Sequence, residues 1–394
     1  MRIIVAPDKF KGSLPATQVA TAIAAGLRSG LHPAGARPEV ITIAVADGGE
    51  GTVDAAAAAG FERVPVTAAG PTGDPVRTSY ARCGEVAVVE LACVCGLARL
   101  PGGPSSSRAA PLTASSFGAG EVLRAALEAG ARRIILGVGG SASTDGGAGL
   151  LQALGARVLD ARGEPVRPGG AALRDVATLD LTGLNPALYP VGHAAEIILA
   201  ADVDNPLTGP DGAAEVYGPQ KGASPAEVAL LDAGLRHWAA VVSAAVGQDW
   251  SHAPGSGAAG GVGFAARAVL GARSRPGIEL VLELAGFGTA LDGADLVITG
   301  EGSLDAQSLA GKAPVGVARA AARHGVPVVA VAGRSTLTEA ELATAGITAV
   351  YPLSDLEPDQ ERSRAEAARL LRQTGEMIAR DRLAEAVTKP GARA

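Results

Sequence analysis

The chain has 394 residues, of which 47% are hydrophobic and 19% charged, and a formal net charge of −6. That length exceeds what one hydrophobic core usually supports, so two domains are expected. Both signs of charge are scattered along the chain without a basic patch, which argues against nucleic acid or an anionic membrane surface as a partner.

At the amino end, MRIIVAPDKFKG carries an apolar run too short for a secretory signal. No stretch reaches the roughly 18 consecutive apolar residues of a membrane span, so a cytoplasmic location is expected. Residues 2–6 and 40–46 are nearly continuous apolar runs, as strands covered on both faces must be. From 64 to 91 the runs shorten, alternate and are joined by Gly-Pro-Thr-Gly-Asp-Pro and Cys-Gly-Glu turns, which predicts an antiparallel meander opening a second domain. Further buried strands are predicted at 134–137, 197–201, 296–299 and 328–332, with alanine- and leucine-rich helical stretches between them. That alternation is the α/β signature. The tail 361–387 is read as a helix covering a core with Leu370, Leu371, Met377 and Ile378, while 102–108 and the last few residues are expected to be mobile. Cys83, Cys93 and Cys95 lack C-x-x-C spacing and read as inert thiols, neither a disulfide framework nor a zinc site.

The familiar nucleotide motifs fail. GSGAAGG at 255–261 matches G-x-G-x-x-G as a string, but it follows a helix-like segment and a polar loop where a dinucleotide site needs a strand, so it reads as a turn or a helix-start nest. Ala306 stands where a phosphate-binding loop ending at Gly311-Lys312 would need its first glycine.

In their place stand six glycine-flanked loops with ionisable groups: PDKFKGS (7–13), ADGGEGT (46–52), GGSASTDGG (139–147), ADVDNPLTG (201–209), YGPQKGA (217–223) and TGEGSLDAQSLAGK (299–312). Several directly follow a predicted strand, where ligands of open parallel sheets bind and helix amino termini converge. Of 34 basic residues only five are lysine, and Lys9, Lys11, Lys221 and Lys312 all lie in these loops. A compact ammonium meets phosphate as a point charge. Asp47 with Glu50, Asp202 with Asp204, and Glu301 with Asp305 supply carboxylates, and magnesium needs only one or two of these beside water and phosphate oxygens. Acids, lysines and glycine amides together point to metal-assisted phosphoryl transfer.

These blocks, in this order from Arg2 to about Leu353, resemble the bacterial type-1 glycerate kinase family. The resemblance implies ATP-dependent phosphorylation of D-glycerate, most often at the 2-hydroxyl, and two α/β domains with a cleft between them. The first, a Rossmann-like parallel-sheet domain, is drawn from 1–64 and 287–394, and a mixed α/β domain, 65–286, is inserted in it. From the chemistry, Lys11 with Lys9 and Ser13 is expected to engage anionic oxygens beside Asp8, with Asp47 and Glu50 on magnesium or the glycerate hydroxyls. Asp202 and Asn205 are expected to supply a base and a metal or hydroxyl contact from the second domain, and Gln220 and Lys221 to close over the γ-phosphate. Gly139, Gly140, Ser141, Ser143, Thr144 and Asp145 cradle the nucleotide with Lys312, and Glu301 and Asp305 hold Mg2+. Two other classes stay open, an NAD-dependent oxidoreductase and a noncatalytic small-acid-binding protein, as do 3-phosphoglycerate as product and assembly as a homo-oligomer.

Overall fold

The computed structural model describes residues 1–32, 38–102, 110–188 and 194–383. Positions 103–108 of the stretch expected to be mobile lie outside these residues, as do the last eleven positions, 384–394. The chain divides into two compact units, one comprising 1–47, 54–59 and 278–394, the other 48–53 and 60–277.

The first unit is built on a five-stranded, wholly parallel sheet in the order β13-β12-β11-β1-β2. Its strands are β1 (Arg2–Pro7), β2 (Glu39–Thr42), β11 (Leu296–Leu304), β12 (Val328–Ser335) and β13 (Ala349–Pro352). Alternate side chains of each central strand enter opposite cores, which is why these strands read as unbroken apolar runs. Ile3, Val5, Ile298 and Val331 pack with Ile23, Leu27, Leu370 and Leu371 on one face. Ile4, Ala6, Val297 and Ala330 pack with Ile278, Val281, Val315 and Val317 on the other. The second strand is shorter than its apolar run: beyond Thr42 the chain still follows β1, with Ile43 N donating to Val5 O at 2.9 Å and Val45 N to Pro7 O at 3.2 Å.

The tail departs from one continuous helix. It breaks at Glu366 (φ −103°, ψ 14°) into Gln360–Ala365 and Ala367–Ile378, followed by a π turn over Ala379–Leu383. Leu370, Leu371 and Ile378 are buried, whereas Met377 is only half-buried. Helix Ala367–Ile378 crosses helix Ala16–Leu31 at Gly26, where a Cβ would stand 1.9 Å from Arg372 O, so the backbones approach as closely as the missing side chain allows.

The second unit carries a six-stranded mixed sheet in the order β10-β9-β6-β5-β4-β3. The antiparallel meander is β3 (Glu62–Ala69), β4 (Pro75–Cys83) and β5 (Val86–Glu90). From β5 onward the pairing is parallel, through β6 (Arg133–Gly137), β9 (Glu196–Ala200) and β10 (Arg273–Arg275). β7 (Arg157–Asp160) and β8 (Val176–Asp180) form a separate antiparallel pair. Helix Pro225–Val246 starts on a capping box, Ser224 with Glu227, and buries Leu231, Leu235, Trp238 and Val242. Glu227 is held below the usual carboxylate range by the Ser224 hydroxyl and amide. Among the described residues no helix is long and apolar enough to cross a membrane.

Gly26→Ala tests the helix crossing. The added methyl must separate two packed backbones, so we expect a loss of about 2–3 kcal/mol in urea unfolding, against little change for an exposed substitution such as Gln18→Ala.

Candidate active site

In the first unit the charged groups gather where the strands end. β1 lies between β11 and β2, and from it the chain runs outward to β2 on one side, while β11, β12 and β13 follow on the other. The carboxyl edge between β1 and β11 is thus a topological switch point, the place where open parallel sheets hold ligands. Pairing of Pro7 with Gly300 brings Asp8, just past the end of β1, beside Glu301 on β11, and Asp8 N donates to Gly300 O at 2.8 Å.

Both carboxyls are buried, Asp8 to 7% and Glu301 to 8% residual exposure. Burial is the main reason that Asp8 titrates at about 6; Lys9 opposes the rise, and Asp47 adds to it. The Lys9 amide donates to Asp8 Oδ1 at 2.6 Å, and its ammonium lies 3.7 Å from the same oxygen. Burial likewise pushes Glu301 up to about 7 against the Ser308 hydroxyl and the Lys312 charge, with Asp8 and Asp305 raising it further. Ser308 Oγ donates to Glu301 Oε1 in a very short contact. Lys312 is the N-cap residue of helix Ala313–Ala322. The edge therefore combines two buried carboxyls with raised pKa values, a half-buried Asp47 and two ammonium groups, which suits it to bind cations and polyanions together.

Other predicted residues of this unit do not join that cluster. Lys11 is exposed, and the Ser13 hydroxyl is spent on Arg364 O at 2.7 Å. Asp305 shapes its own turn, accepting from Gln307 N at 3.0 Å and Ser303 Oγ at 3.3 Å.

In the second unit the loops after β5, β6 and β9 converge with residues 48–53. Glu90, which ends β5 and is buried to 3%, accepts from Gly51 N at 3.2 Å and Val53 N at 3.0 Å, fixing the start of helix Thr52–Ala58. Glu50 on that loop is exposed. A Cβ on Gly139 would stand 2.6 Å from Gly49 Cα, so the two glycine loops touch backbone to backbone.

Only the tip of the 139–147 loop faces outward: Gly139 is half-buried, Gly140 exposed, and residues 141–147 are buried. Asp145 is wholly internal. Its Oδ2 accepts from Ser116 N (2.7 Å), Ser116 Oγ (2.9 Å), Ser115 Oγ (3.3 Å) and Gly149 N (3.3 Å), and its Oδ1 from Gly147 N (3.2 Å). Ser143 Oγ and Thr144 Oγ1 are buried without a partner among the described residues. Lys221 is buried too, and donates to Ser141 Oγ at 3.0 Å and Ser143 O at 2.5 Å. Burial lowers its pKa to about 7, against the attraction of Asp145. Gln220 is exposed.

Beyond β9, Asp202 is exposed and accepts from Gly277 N at 2.9 Å. Asn205 braces its loop, donating to Asp211 O at 2.8 Å and accepting from Tyr217 OH at 2.6 Å. The GSGAAGG string forms the entry to helix Ala258–Leu270, with Ala259 (φ 51°, ψ 38°), Gly260 and Gly261 in the left-handed region and Gly260 O accepting from Gly146 N at 2.9 Å.

The description of the glycerate kinase family matches residues 3–383. The chain is 43% identical over 356 residues to a glycerate kinase of Bacillus subtilis (strain 168), covering 90% of each chain. It is 42% identical over 355 residues to a glycerate 2-kinase of Escherichia coli (strain K12), covering 89% of this chain and 90% of that one. The crystal structure assigned to glycerate kinase 2 of Salmonella typhimurium LT2 superposes with a TM-score of 0.81 at 40% identity, covering 96% of this chain and 97% of the other. The chain belongs to the glycerate kinase family.

Glu90, Ser308 and the Ser115–Ser116 pair, which sequence reading passed over, bond to these loops and their carboxyls. Glu90 ends an apolar strand (VAVVE) as its one charge, a readable signal. The serines carry no such mark, because their importance lies in the buried carboxylates they meet.

Glu301→Gln tests the buried carboxyl. A carboxyl whose folded pKa exceeds its unfolded value contributes stability that is fully present below the unfolded value and lost as pH rises through the folded one. Glutamine keeps an acceptor for Ser308 without the charge. Melting curves should show the variant more stable than the parent by about 1–3 kcal/mol at pH 8, with the gap closing toward pH 4. A gap independent of pH would contradict the assignment.

Proposed function

We propose that this protein transfers the γ-phosphoryl group of ATP, with Mg2+, to the 2-hydroxyl of D-glycerate, giving 2-phosphoglycerate and ADP in the cytoplasm. The observation that carries the reading is the β1–β11 edge, where the Lys9 charge acts on Asp8 and the Lys312 charge on Glu301. Phosphoryl transfer asks a protein chiefly for positioning and for neutralisation of charge on phosphate oxygens. A sheet edge that holds ammonium groups and carboxyls at a switch point meets both demands.

Among the described residues no cluster of three or more metal-ligating side chains occurs. Magnesium does not need one, since it keeps several waters and binds through one or two carboxylates plus phosphate oxygens. Asp8 and Glu301 fit that requirement, because burial raises both, Asp47 raises Asp8 further and Asp8 raises Glu301, which a cation would relieve. Asp305 fits it less well, being committed to its own turn. When bound, the ion supplies charge neutralisation at the phosphate oxygens. Lys9 and Lys312 add to that neutralisation. Asp47, half-buried beside Asp8, is the carboxylate for orienting the attacking hydroxyl and accepting its proton. The Gly139–Gly140 turn offers backbone amides to a carboxylate or phosphate oxygen.

The test is an assay with ATP, Mg2+ and D-glycerate in which ADP is followed and the product is passed to enolase alone. Enolase consumes 2-phosphoglycerate directly, so absorbance of the enol product should rise without added mutase. ADP formation with signal only after mutase is added would assign the 3-hydroxyl, and no glycerate-dependent ADP would refute the activity. Asp8→Asn should lower kcat at least 100-fold, in line with loss of a positioned charged group.

A further inference from the structure

Lys221 differs from the other loop lysines in where its charge points. Lys9 and Lys312 are half-buried and Lys11 is exposed, whereas Lys221 retains 3% exposure and turns its ammonium inward. It arrives from a 3-10 turn, Pro219–Lys221, closed by Gly222 in the left-handed region (φ 91°), and reaches a loop about 80 residues earlier in the chain. There it grips two points, the Ser141 hydroxyl at 3.0 Å and the Ser143 carbonyl at 2.5 Å. The second is a short, charge-assisted bond of the strong kind.

We propose that Lys221 is a positioning residue, which clamps residues 141–143 from inside and thereby fixes the outward Gly139–Gly140 turn for the substrate that binds it. The inference rests on the reading of that turn as a ligand site. It assigns Lys221 a task other than contact with the transferred phosphate, because its donors are directed at the loop's own atoms.

Three observations support the clamp. An internal ammonium is costly, and a well-packed apolar side chain would be cheaper for stability alone. The cost appears as a pKa lowered to about 7, with Asp145 the charged partner that acts on it. Next, the adjoining hydroxyls do nothing to hold this stretch, since Ser143 Oγ and Thr144 Oγ1 have no partner among the described residues. Finally, other bonds to this loop hold different atoms. Leu97 N donates to Gly140 O (3.0 Å) and Ala142 N to Cys95 O (2.9 Å); further along, Trp238 Nε1 donates to Gly146 O (2.9 Å). The carbonyl at Ser143 is the point that Lys221 secures.

The experiment compares Lys221→Met, Ser141→Ala and the double variant, measuring melting temperature, kcat and both KM values. Methionine keeps the length of the side chain without the donors. We expect Lys221→Met to raise KM about tenfold or more for one substrate, D-glycerate or ATP, while leaving the other within about twofold, because displaced binding groups weaken one ligand. Ser141→Ala should raise the same KM by a smaller factor, and the two effects should combine less than multiplicatively, as coupled contacts do. A fall in kcat with both KM values unchanged would place Lys221 on the transferring phosphoryl group and overturn the proposal. So would multiplicative effects, or kinetics like the parent's. Should Lys221→Met fail to fold, Ser141→Ala carries the test: an unchanged KM for both substrates overturns it. Absence of glycerate-dependent turnover in the parent protein would instead refute the function on which the inference rests.

Discussion

The parallel pairing of β1 with β11 is the constraint on which the site depends. Ile3 through Pro7 register with Leu296 through Gly300, so two carboxyls almost 300 positions apart end on adjacent strands. Closing a flexible loop of that size would cost on the order of 5 kcal/mol in chain entropy. The intervening residues fold into their own core, and the strand contacts at the junction, with Ile3, Ile4, Val5 and Ala6 at 0% exposure, offset what remains. The same pairing that completes the sheet assembles the charge cluster.

That cluster holds its charges at a cost. Asp8 and Glu301 sit where solvent is excluded, and their neighbours Lys9 and Lys312 compensate only in part, so both carboxyls retain protons well above the usual range. A sheet end filled with apolar side chains would be more stable and could bind neither a cation nor a phosphate. The second unit handles its internal charges differently. Asp145 is saturated by hydroxyls and amides, and Glu90 by two amides at a helix start, so these groups shape loops. One unit thus buries carboxyls that it leaves short of hydrogen-bond donors, while the other uses carboxylates as braces.

Particular residues show why a role is harder to read than a place. Asn205 and Ser13 stand in loops read as ligand-binding, yet the fold spends them on Tyr217 and on Arg364. Ser143 and Thr144 belong to a loop read as a cradle, and their hydroxyls lie inside it. Lys221 has the composition of a phosphate contact and the geometry of an internal brace. In each case the residue type announced polar chemistry, but the direction of the side chain is a property of packing against segments far away in sequence.

What the chain order by itself determined is the set of buried strands and the loops that carry charge. Strands covered on both faces must be continuously apolar, and glycine-flanked loops after them must take the polar groups, so both are local patterns. The α/β class followed from their alternation, as did the meander from 64 to 91. Only the tertiary structure decided which carboxyls meet, which lysines face solvent, and where the tail helix breaks. Those outcomes depend on register between remote strands and on the space left by a glycine such as Gly26, which no local pattern records.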